Sequence, residues 1–194
     1  FTRADLAQLI ENREIVKATL MRGTLHLVTA ADYLKFRATL QPVLTQGWAA
    51  ITKDKGKGLD IKALVAAARE FISEQPRTFA EITAMVTELM PDRDAGTLRY
   101  AVRTHLPLVQ VPIETGWSYP GNPRFALADA WLNRQIPDEE HLKTLIKRYL
   151  AAFGPATVAD MQTWSGLSKL KEVIEDFRAE LVTYRTEKKQ ELFD

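Results

Sequence analysis

Cysteine is absent from this chain of 194 residues, so disulfides and metal sites built on thiolates are excluded. No apolar run is long enough to span a bilayer and no signal peptide is visible, so we expect a cytoplasmic protein with no membrane partner. The three histidines, His26, His105 and His141, are far apart, which predicts no metal site. No glycine-rich turn of the nucleotide-binding kind occurs, and we expect no cofactor.

Neither sign of charge is in excess over the whole chain, since 26 Lys and Arg stand against 25 Asp and Glu. Residues 1–57, however, hold nine basic side chains and five acidic ones, and the remainder is net acidic. Because phosphate contacts come from Lys and Arg, this distribution places a nucleic-acid footprint mainly in the first third of the chain. The alternative is that these are ordinary solvated surface charges.

What the sequence does contain is a repeated order of elements: a helix, a capped second helix, a third helix and a β-hairpin. In the clearest copy, apolar residues recur at helical spacing between 59 and 72, and Thr78 with Glu81 forms a capping box for the second helix. Residues 98–102 indicate the third helix, and 108–111 with 125–127 indicate two strands joined by a turn-rich segment. This order is typical of a winged helix, which is a helix-turn-helix followed by a β-hairpin wing.

The same plan recurs at the end of the chain and, in part, at its start. Thr157 with Asp160 repeats the capping arrangement, between helices predicted at 142–153 and from 168. At the start, a helix capped by Thr2 leads only to a hairpin. We therefore predict a mainly helical α+β fold of tandem winged helices. Its units are 1–52, an incomplete first module with its hairpin and connecting helices; 53–135, the second module; and 136–194, the third, whose wing is cut short.

The first hairpin is predicted to turn at Arg22-Gly23, with Gly where a positive φ is needed. A two-residue turn places Leu20 opposite Leu25 and Thr19 opposite His26. Since strand side chains alternate, one face is then apolar and the other polar. The apolar face consists of Val16, Ala18, Leu20, Leu25 and Leu27. The polar face consists of Lys17, Thr19, Thr24 and His26.

Two blocks of sequence carry a resemblance to a known family. They are LMRGTLHLV at 20–28 with Ala-Asp-Tyr at 31–33, and YLAAFGPATVAD at 149–160 with Trp-Ser-Gly-Leu at 164–167. The chain resembles the bacterial family of tandem winged-helix DNA-binding proteins that includes the AlkZ/YcaQ-like DNA glycosylases. The resemblance implies three winged helices around a cleft that holds duplex DNA, with the hairpin residues Arg22, Thr24 and His26 bordering that cleft.

In the glycosylase members, the cleft cuts the N-glycosidic bond of alkylated or crosslinked bases with a Gln-apolar-Gln motif that precedes this hairpin. The motif does not occur here, and we expect it upstream of Phe1. The resemblance therefore assigns no catalytic residue in this chain, and whether the protein is an enzyme stays open at this point.

The residues predicted to bind DNA come from the hairpin and from the second module. They are Lys17, Arg22, Thr24, His26, Arg99, Arg103, Trp117, Tyr119 and Arg124. A tip arginine such as Arg22 can hold a phosphate or enter a minor groove, with plain solvation as the alternative. His26 can donate to a phosphate, or it forms a local hydrogen bond. Arg99 and Arg103 lie i, i+4 on the third helix, opposite its apolar face.

Three further candidates lie in the second wing. Trp117, Tyr119 and Arg124 can stack on bases or wedge beside them, or they pack the wing onto its own domain. Residues 53–58 are read as a mobile basic linker, because they lack the spacing of a phosphate-binding loop. The acidic third helix of the last module would repel phosphates, so that module is predicted to be structural or to face a protein.

We therefore predict a winged-helix protein that binds duplex DNA in a cleft between modules, in the cytoplasm and on the nucleoid when DNA-bound. The sharper hypothesis is a DNA glycosylase-like repair protein for alkylated or crosslinked bases. The alternative is a non-catalytic transcriptional regulator or protein-interaction module, because winged helices serve all these roles.

Overall fold

The computed structural model describes residues 1–112 and 121–194. Within these ranges the protein is mainly helical and has two small antiparallel sheets, which confirms the predicted fold class. The helices are α1 (Arg3–Glu11), α2 (Ala30–Phe36), α3 (Gln41–Thr52), α4 (Ile61–Glu74), α5 (Phe79–Leu89), α6 (Ala95–His105), α7 (Ala128–Leu132), α8 (Leu142–Phe153), α9 (Val158–Ser165) and α10 (Leu170–Asp176). The strands are β1 (Ile15–Thr19), β2 (Leu25–Thr29), β3 (Arg77–Thr78), β4 (Leu108–Gln110), β5 (Arg124–Leu127), β6 (Thr183–Arg185) and β7 (Glu191–Phe193).

The three predicted capping boxes start α1, α5 and α9. They pair Thr2 with Asp5, Thr78 with Glu81, and Thr157 with Asp160. In α5, the N–H of Thr78 donates to Glu81 Oε2 at 2.7 Å, and the N–H of Glu81 donates to Thr78 Oγ1 at 3.2 Å. Each box satisfies backbone donors that a helix start leaves free, which is why these short sequence patterns located helix starts correctly.

The second wing and the first hairpin form one sheet with strand order β2-β1-β4-β5-β3. β4 and β5 pair with each other as predicted, and β4 also pairs antiparallel with β1, placing Ala18 opposite Val109. The remaining two strands, β6 and β7, form the small wing predicted for the last segment. The shared sheet ties the start of the chain directly to the second module.

The predicted register of the first hairpin is wrong by one residue. Thr19 lies opposite Leu25 and Ala18 lies opposite His26. The prediction assumed a two-residue turn, whereas three residues, 21–23, connect the strands, and the N–H of Leu20 donates to the carbonyl of Thr24. One extra turn residue shifts the register by one and turns every side chain of β2 to the opposite face.

This shift divides the predicted faces differently between the two strands. Val16, Ala18 and Leu20 are buried as predicted, but Leu25 and Leu27 are exposed at 40% and 51%. The predicted polar face is likewise split, because His26 shares the side of β1 that carries Ala18. The outer face of the hairpin therefore combines Lys17 and Thr19 with two leucines.

Within residues 1–112 and 121–194, the buried side chains form three hydrophobic clusters. The first lies among α4, α5 and α6 and includes Trp48 from α3. The second lies beneath β1, β4 and β5, packs against α2, and reaches Leu145 of α8. The third joins α8, α9 and α10 to Phe193 of β7. The exact boundaries of the three predicted modules stay a prediction.

Residues 53–56, expected as linker, form a 3₁₀ turn at the end of α3. A Cβ on Gly56 would stand 2.7 Å from Trp48 Cη2 and 2.6 Å from Thr52 Oγ1. The turn is thus packed closely on α3, and glycine is required by this close approach. The packing brings Lys55 to the side of the molecule that carries α6.

Candidate nucleic-acid interface

A cleft of about 800 Å³ opens between α6, the end of α3 and the turn of the first hairpin. Its lining consists of Arg22, Gly23, Ile51, Thr52, Lys55, Phe79, Asp94, Gly96, Thr97, Arg99, Tyr100 and Arg103. The cleft brings together three of the predicted DNA-binding residues, Arg22, Arg99 and Arg103, from sites far apart in sequence. It adds a fourth cation, Lys55, which the prediction did not include.

The hairpin turn is seated against other elements and does not project freely. Tyr100 Oη lies 3.6 Å from the position of a Cβ on Gly23, and Arg22 Cγ lies 3.6 Å from that of a Cβ on Gly166, at the end of α9. Both Arg22 (φ 55°) and Gly23 (φ 70°) have left-handed backbone conformations. Arg22 is nevertheless exposed, so its aliphatic stem packs on the protein while its guanidinium reaches water in the cleft.

Two arginines of α6 face the cleft in different ways. Arg99 is exposed, and within the described part of the chain it forms no ion pair. Arg103 is half-buried, and its Nε donates to Thr19 Oγ1 of β1 at 3.3 Å. Arg103 therefore fixes α6 against the hairpin and still presents its other nitrogens to the cleft.

The N-terminus of α6 carries the carboxylate of the cleft lining. Asp94 caps this helix by accepting from the N–H and the hydroxyl of Thr97, both at 2.9 Å. These bonds, together with the ammonium of Lys55 at 3.1 Å, hold the pKa of Asp94 below its ordinary value. Asp94 is thus charged at neutral pH, and it offsets part of the positive charge of the cleft.

The other described candidates do not line the cleft. Thr24 Oγ1 donates to the carbonyl of Met21 at 3.1 Å, and His26 Nδ1 lies 3.0 Å from the carbonyl of Thr24. Lys17 projects from the same face of β1 as Thr19. His26 thus makes the local contact expected under its alternative, and DNA contact by Lys17, Thr24 and His26 stays a prediction.

Arg124 serves the wing instead of the cleft. Its Nη1 donates to the carbonyl of Pro76 at 2.9 Å and lies 3.7 Å from Glu81 Oε2. These contacts brace β5 against the start of α5. Trp117 and Tyr119 lie outside the described residues.

Buried polar contacts hold the C-terminal end of α6. Arg37 is only 3% exposed, and its Nη2 donates to the carbonyl of Thr104 at 3.0 Å, while Nη1 donates to Gln41 Oε1 at 2.5 Å. Burial lowers the pKa of Arg37 and raises the pKa of the adjacent Tyr33 to about 12. A cation at this end of a helix is also favoured by the helix dipole.

Lys55 and Tyr100 are among the cleft residues that were not predicted from the sequence. Tyr100 lies between Arg99 and Arg103 in the sequence of α6, the helix predicted to enter a DNA groove. Its place on that helix could therefore have indicated a site residue. Lys55 had no such signal, because only the packing of the turn on α3 directs it towards α6. Within residues 1–112 and 121–194, no group of three side chains suited to a metal is found, and no helix is long and apolar enough to cross a membrane.

The order of helices and hairpins is that of a winged-helix protein, and four cations line the cleft beside α6. The model of a family described as DNA glycosylase AlkZ-like matches residues 1–194. The chain belongs to the AlkZ-like DNA glycosylase family. This confirms the family inferred from the two sequence blocks.

The structure is also similar to the solved structure of Streptomyces sahachiroi DNA glycosylase AlkZ, with a TM-score of 0.74 and 21% sequence identity. The similarity covers 99% of this chain and 55% of that chain. This protein thus spans about half the length of that structure, and at this identity the likeness shows the fold alone. Comparison with curated proteins finds no match.

Proposed function

We propose that this protein binds duplex DNA in the cleft beside α6 and serves DNA glycosylase-like repair of alkylated or crosslinked bases. The observation that carries the proposal is the convergence of Arg22, Lys55, Arg99 and Arg103 on one opening. These cations come from the hairpin, the turn after α3, and α6. Family membership supports the reaction class, and the excision of bases is part of the proposal.

The electrostatics of the cleft suit a polyanion. Four cations face one carboxylate in the lining, although the chain as a whole has a net charge of only +1. Phosphates attracted to such a cleft release condensed counterions, so affinity should fall steeply as salt rises. The exposed leucines Leu25 and Leu27 lie on the outer face of the hairpin, where apolar contacts with sugars or a widened base step are available.

The proposed base excision requires little general-acid catalysis. An alkylated purine such as 7-methylguanine is already cationic, so its departure from the sugar needs little protonation. The residues of this cleft would hold and orient the duplex while water attacks the sugar. We assign no catalytic group within this chain.

Binding is tested with the double variant Arg22→Ala with Arg99→Ala. We expect affinity for a duplex of about 20 base pairs to fall roughly tenfold or more at low salt, and the slope of log K against log[salt] to shrink by about 2. Fluorescence anisotropy across a salt series measures both. Arg134→Ala, an exposed arginine outside the cleft lining, is the matched control. An affinity and slope equal to wild type would refute the proposed surface.

Excision is tested separately with the full-length protein and a duplex containing 7-methylguanine. Release of the free base, followed by strand cleavage at the abasic site in alkali, is the expected result. Tight binding without release would favour the regulator alternative over repair.

A further inference from the structure

We propose that Tyr100 is a DNA-contact residue on the floor of the cleft, where its hydroxyl donates a hydrogen bond to a backbone phosphate oxygen. The inference deepens the proposed function and rests on it. It concerns a neutral residue among the cations, and no likeness to a known motif points to it.

The position of the hydroxyl is set by three elements. Tyr100 belongs to α6, and its Oη lies 3.6 Å from the position of a Cβ on Gly23 of the hairpin turn and 3.8 Å from that on Gly47 of α3. These are ordinary van der Waals separations, so the hydroxyl stands where the hairpin turn, α3 and α6 meet. The two glycines keep side chains away from it.

The ring and the hydroxyl of Tyr100 have different surroundings. The ring packs against the hydrophobic cluster formed by α4, α5 and α6. The hydroxyl makes no hydrogen bond to any described residue, and it is not among the buried polar atoms that lack a partner there. The hydroxyl is therefore not completely buried at the cleft lining, and the packed ring limits its movement. A fixed donor of this kind loses little conformational entropy on binding.

The positive charges of the cleft favour an anionic acceptor for the hydrogen bond that the Tyr100 hydroxyl donates. Arg99 and Arg103 flank Tyr100 on α6, and Arg22 lines the same opening. Three arginines that line the same cleft as this neutral donor favour an anionic oxygen over a base edge. Tyrosine hydroxyls are among the groups that contact DNA phosphates and fix the register of a protein on the duplex. The side chains of Thr97 and Arg103 already form hydrogen bonds within the protein, whereas the hydroxyl of Tyr100 forms none with the described residues.

The test is Tyr100→Phe, which removes only the oxygen. We expect duplex affinity to weaken by about three- to tenfold, as for the loss of one hydrogen bond of typical net strength. Because the hydroxyl is neutral, the salt slope should stay at the wild-type value, unlike that of the arginine variant. The melting temperature of the free protein should also stay unchanged. Tyr184→Phe, an exposed tyrosine of β6, is the matched control.

The outcomes separate this inference from the function on which it rests. If Tyr100→Phe binds like wild type while the arginine double variant is weakened, the phosphate contact is refuted and the DNA-binding cleft stands. A weakened Tyr100→Phe with a lowered melting temperature would show a structural role and also refute the contact. If neither variant loses affinity, the proposed function itself fails.

Discussion

At the scale of single residues, burial controls the ionisation of His105 at the C-terminal end of α6. His105 packs edge-on against Trp48, with ring centroids 5.6 Å apart, and its Nδ1 lies 3.0 Å from the carbonyl of Ala101. Burial lowers the pKa of His105, and the positive charge of Arg37 lowers it further. The imidazole is therefore held neutral in the folded protein at a pH where a free histidine takes up a proton.

This difference predicts a pH dependence of stability. As the pH falls below about 6.5, the unfolded chain protonates His105 while the folded protein does not, so the free energy of unfolding decreases. The decrease ends only when the pH passes the lowered pKa of the folded state. His105→Asn keeps a donor near the Nδ1 position and removes the titration. We expect the urea midpoint of wild type to drop more between pH 7.5 and 5.5 than that of His105→Asn, and parallel drops would contradict the assignment.

The arginines of the cleft could be predicted from the sequence. The hydrogen-bond partner of every polar side chain could not. Arg99 was identifiable because helical spacing places it opposite the apolar stripe, and that geometry is local. Arg124 carries the same charge, yet a carbonyl 48 positions earlier, at Pro76, accepts its hydrogen bond. Such a partner is set by tertiary packing, so periodicity cannot reveal it.

At the scale of elements, local signals were sufficient wherever a helix start satisfies its own donors. The capping boxes at α1, α5 and α9 each lie within four consecutive residues, and all were predicted. The hairpin register was missed because turn length depends on backbone angles. Arg22 adopts a positive φ, which is uncommon for a residue with a side chain. The pairing of β1 with β4 joins segments about 90 residues apart, and no local pattern encodes it.

The start of α6 allows a change that should improve DNA binding. Asp94→Asn preserves the cap, since asparagine caps about as well as aspartate, and removes the negative charge from the cleft. Lys55 is then released from its ion pair to contact phosphate. We expect affinity to rise by roughly three- to tenfold at low salt, and the salt slope to steepen by about 1. The melting temperature should change little, because an exposed pair of this kind contributes little.

The matched control for this variant is Asp60→Asn. Asp60 caps α4 through the N–H of Ala63 at 3.0 Å and lies outside the cleft lining. The same chemical change there should leave DNA affinity at the wild-type value. An Asp94→Asn protein that binds no better than this control would show that Asp94 does not oppose DNA.

At the scale of the whole molecule, the last three helices are α8, α9 and α10. They pack on the rest of the protein where the end of α9 meets the hairpin turn and α3. The C-terminal end of α9 lies against Val43 of α3 and the stem of Arg22. Arg148 of α8 forms an ion pair with Asp32 of α2 across the same junction. This attachment supports the structural role predicted for the last module, which stays a prediction, and it gives that module influence over the position of Arg22.

Gly166 is the residue on which this close approach depends. It ends α9 with a φ of +79°, and a Cβ there would stand 2.8 Å from Val43 Cγ1. Gly166→Ala thus adds backbone strain to an overlap, and we expect it to cost about 1–3 kcal/mol of stability. For a protein of this size, each kcal/mol lowers the melting temperature by roughly 2–4 °C. Differential scanning calorimetry measures this loss directly.

Gly121→Ala is the matched control, because among the described residues, its chain neighbours aside, no atom lies within 4 Å of its added Cβ. It should melt within about a degree of wild type, since a surface change away from such contacts costs little. Because the added methyl at Gly166 would displace α3 or the stem of Arg22, duplex affinity should fall together with stability in Gly166→Ala alone. Equal melting temperatures for the two glycine variants would mean that α9 and α3 accommodate the added methyl group with no loss of stability. The position of Arg22 would then not depend on the last module.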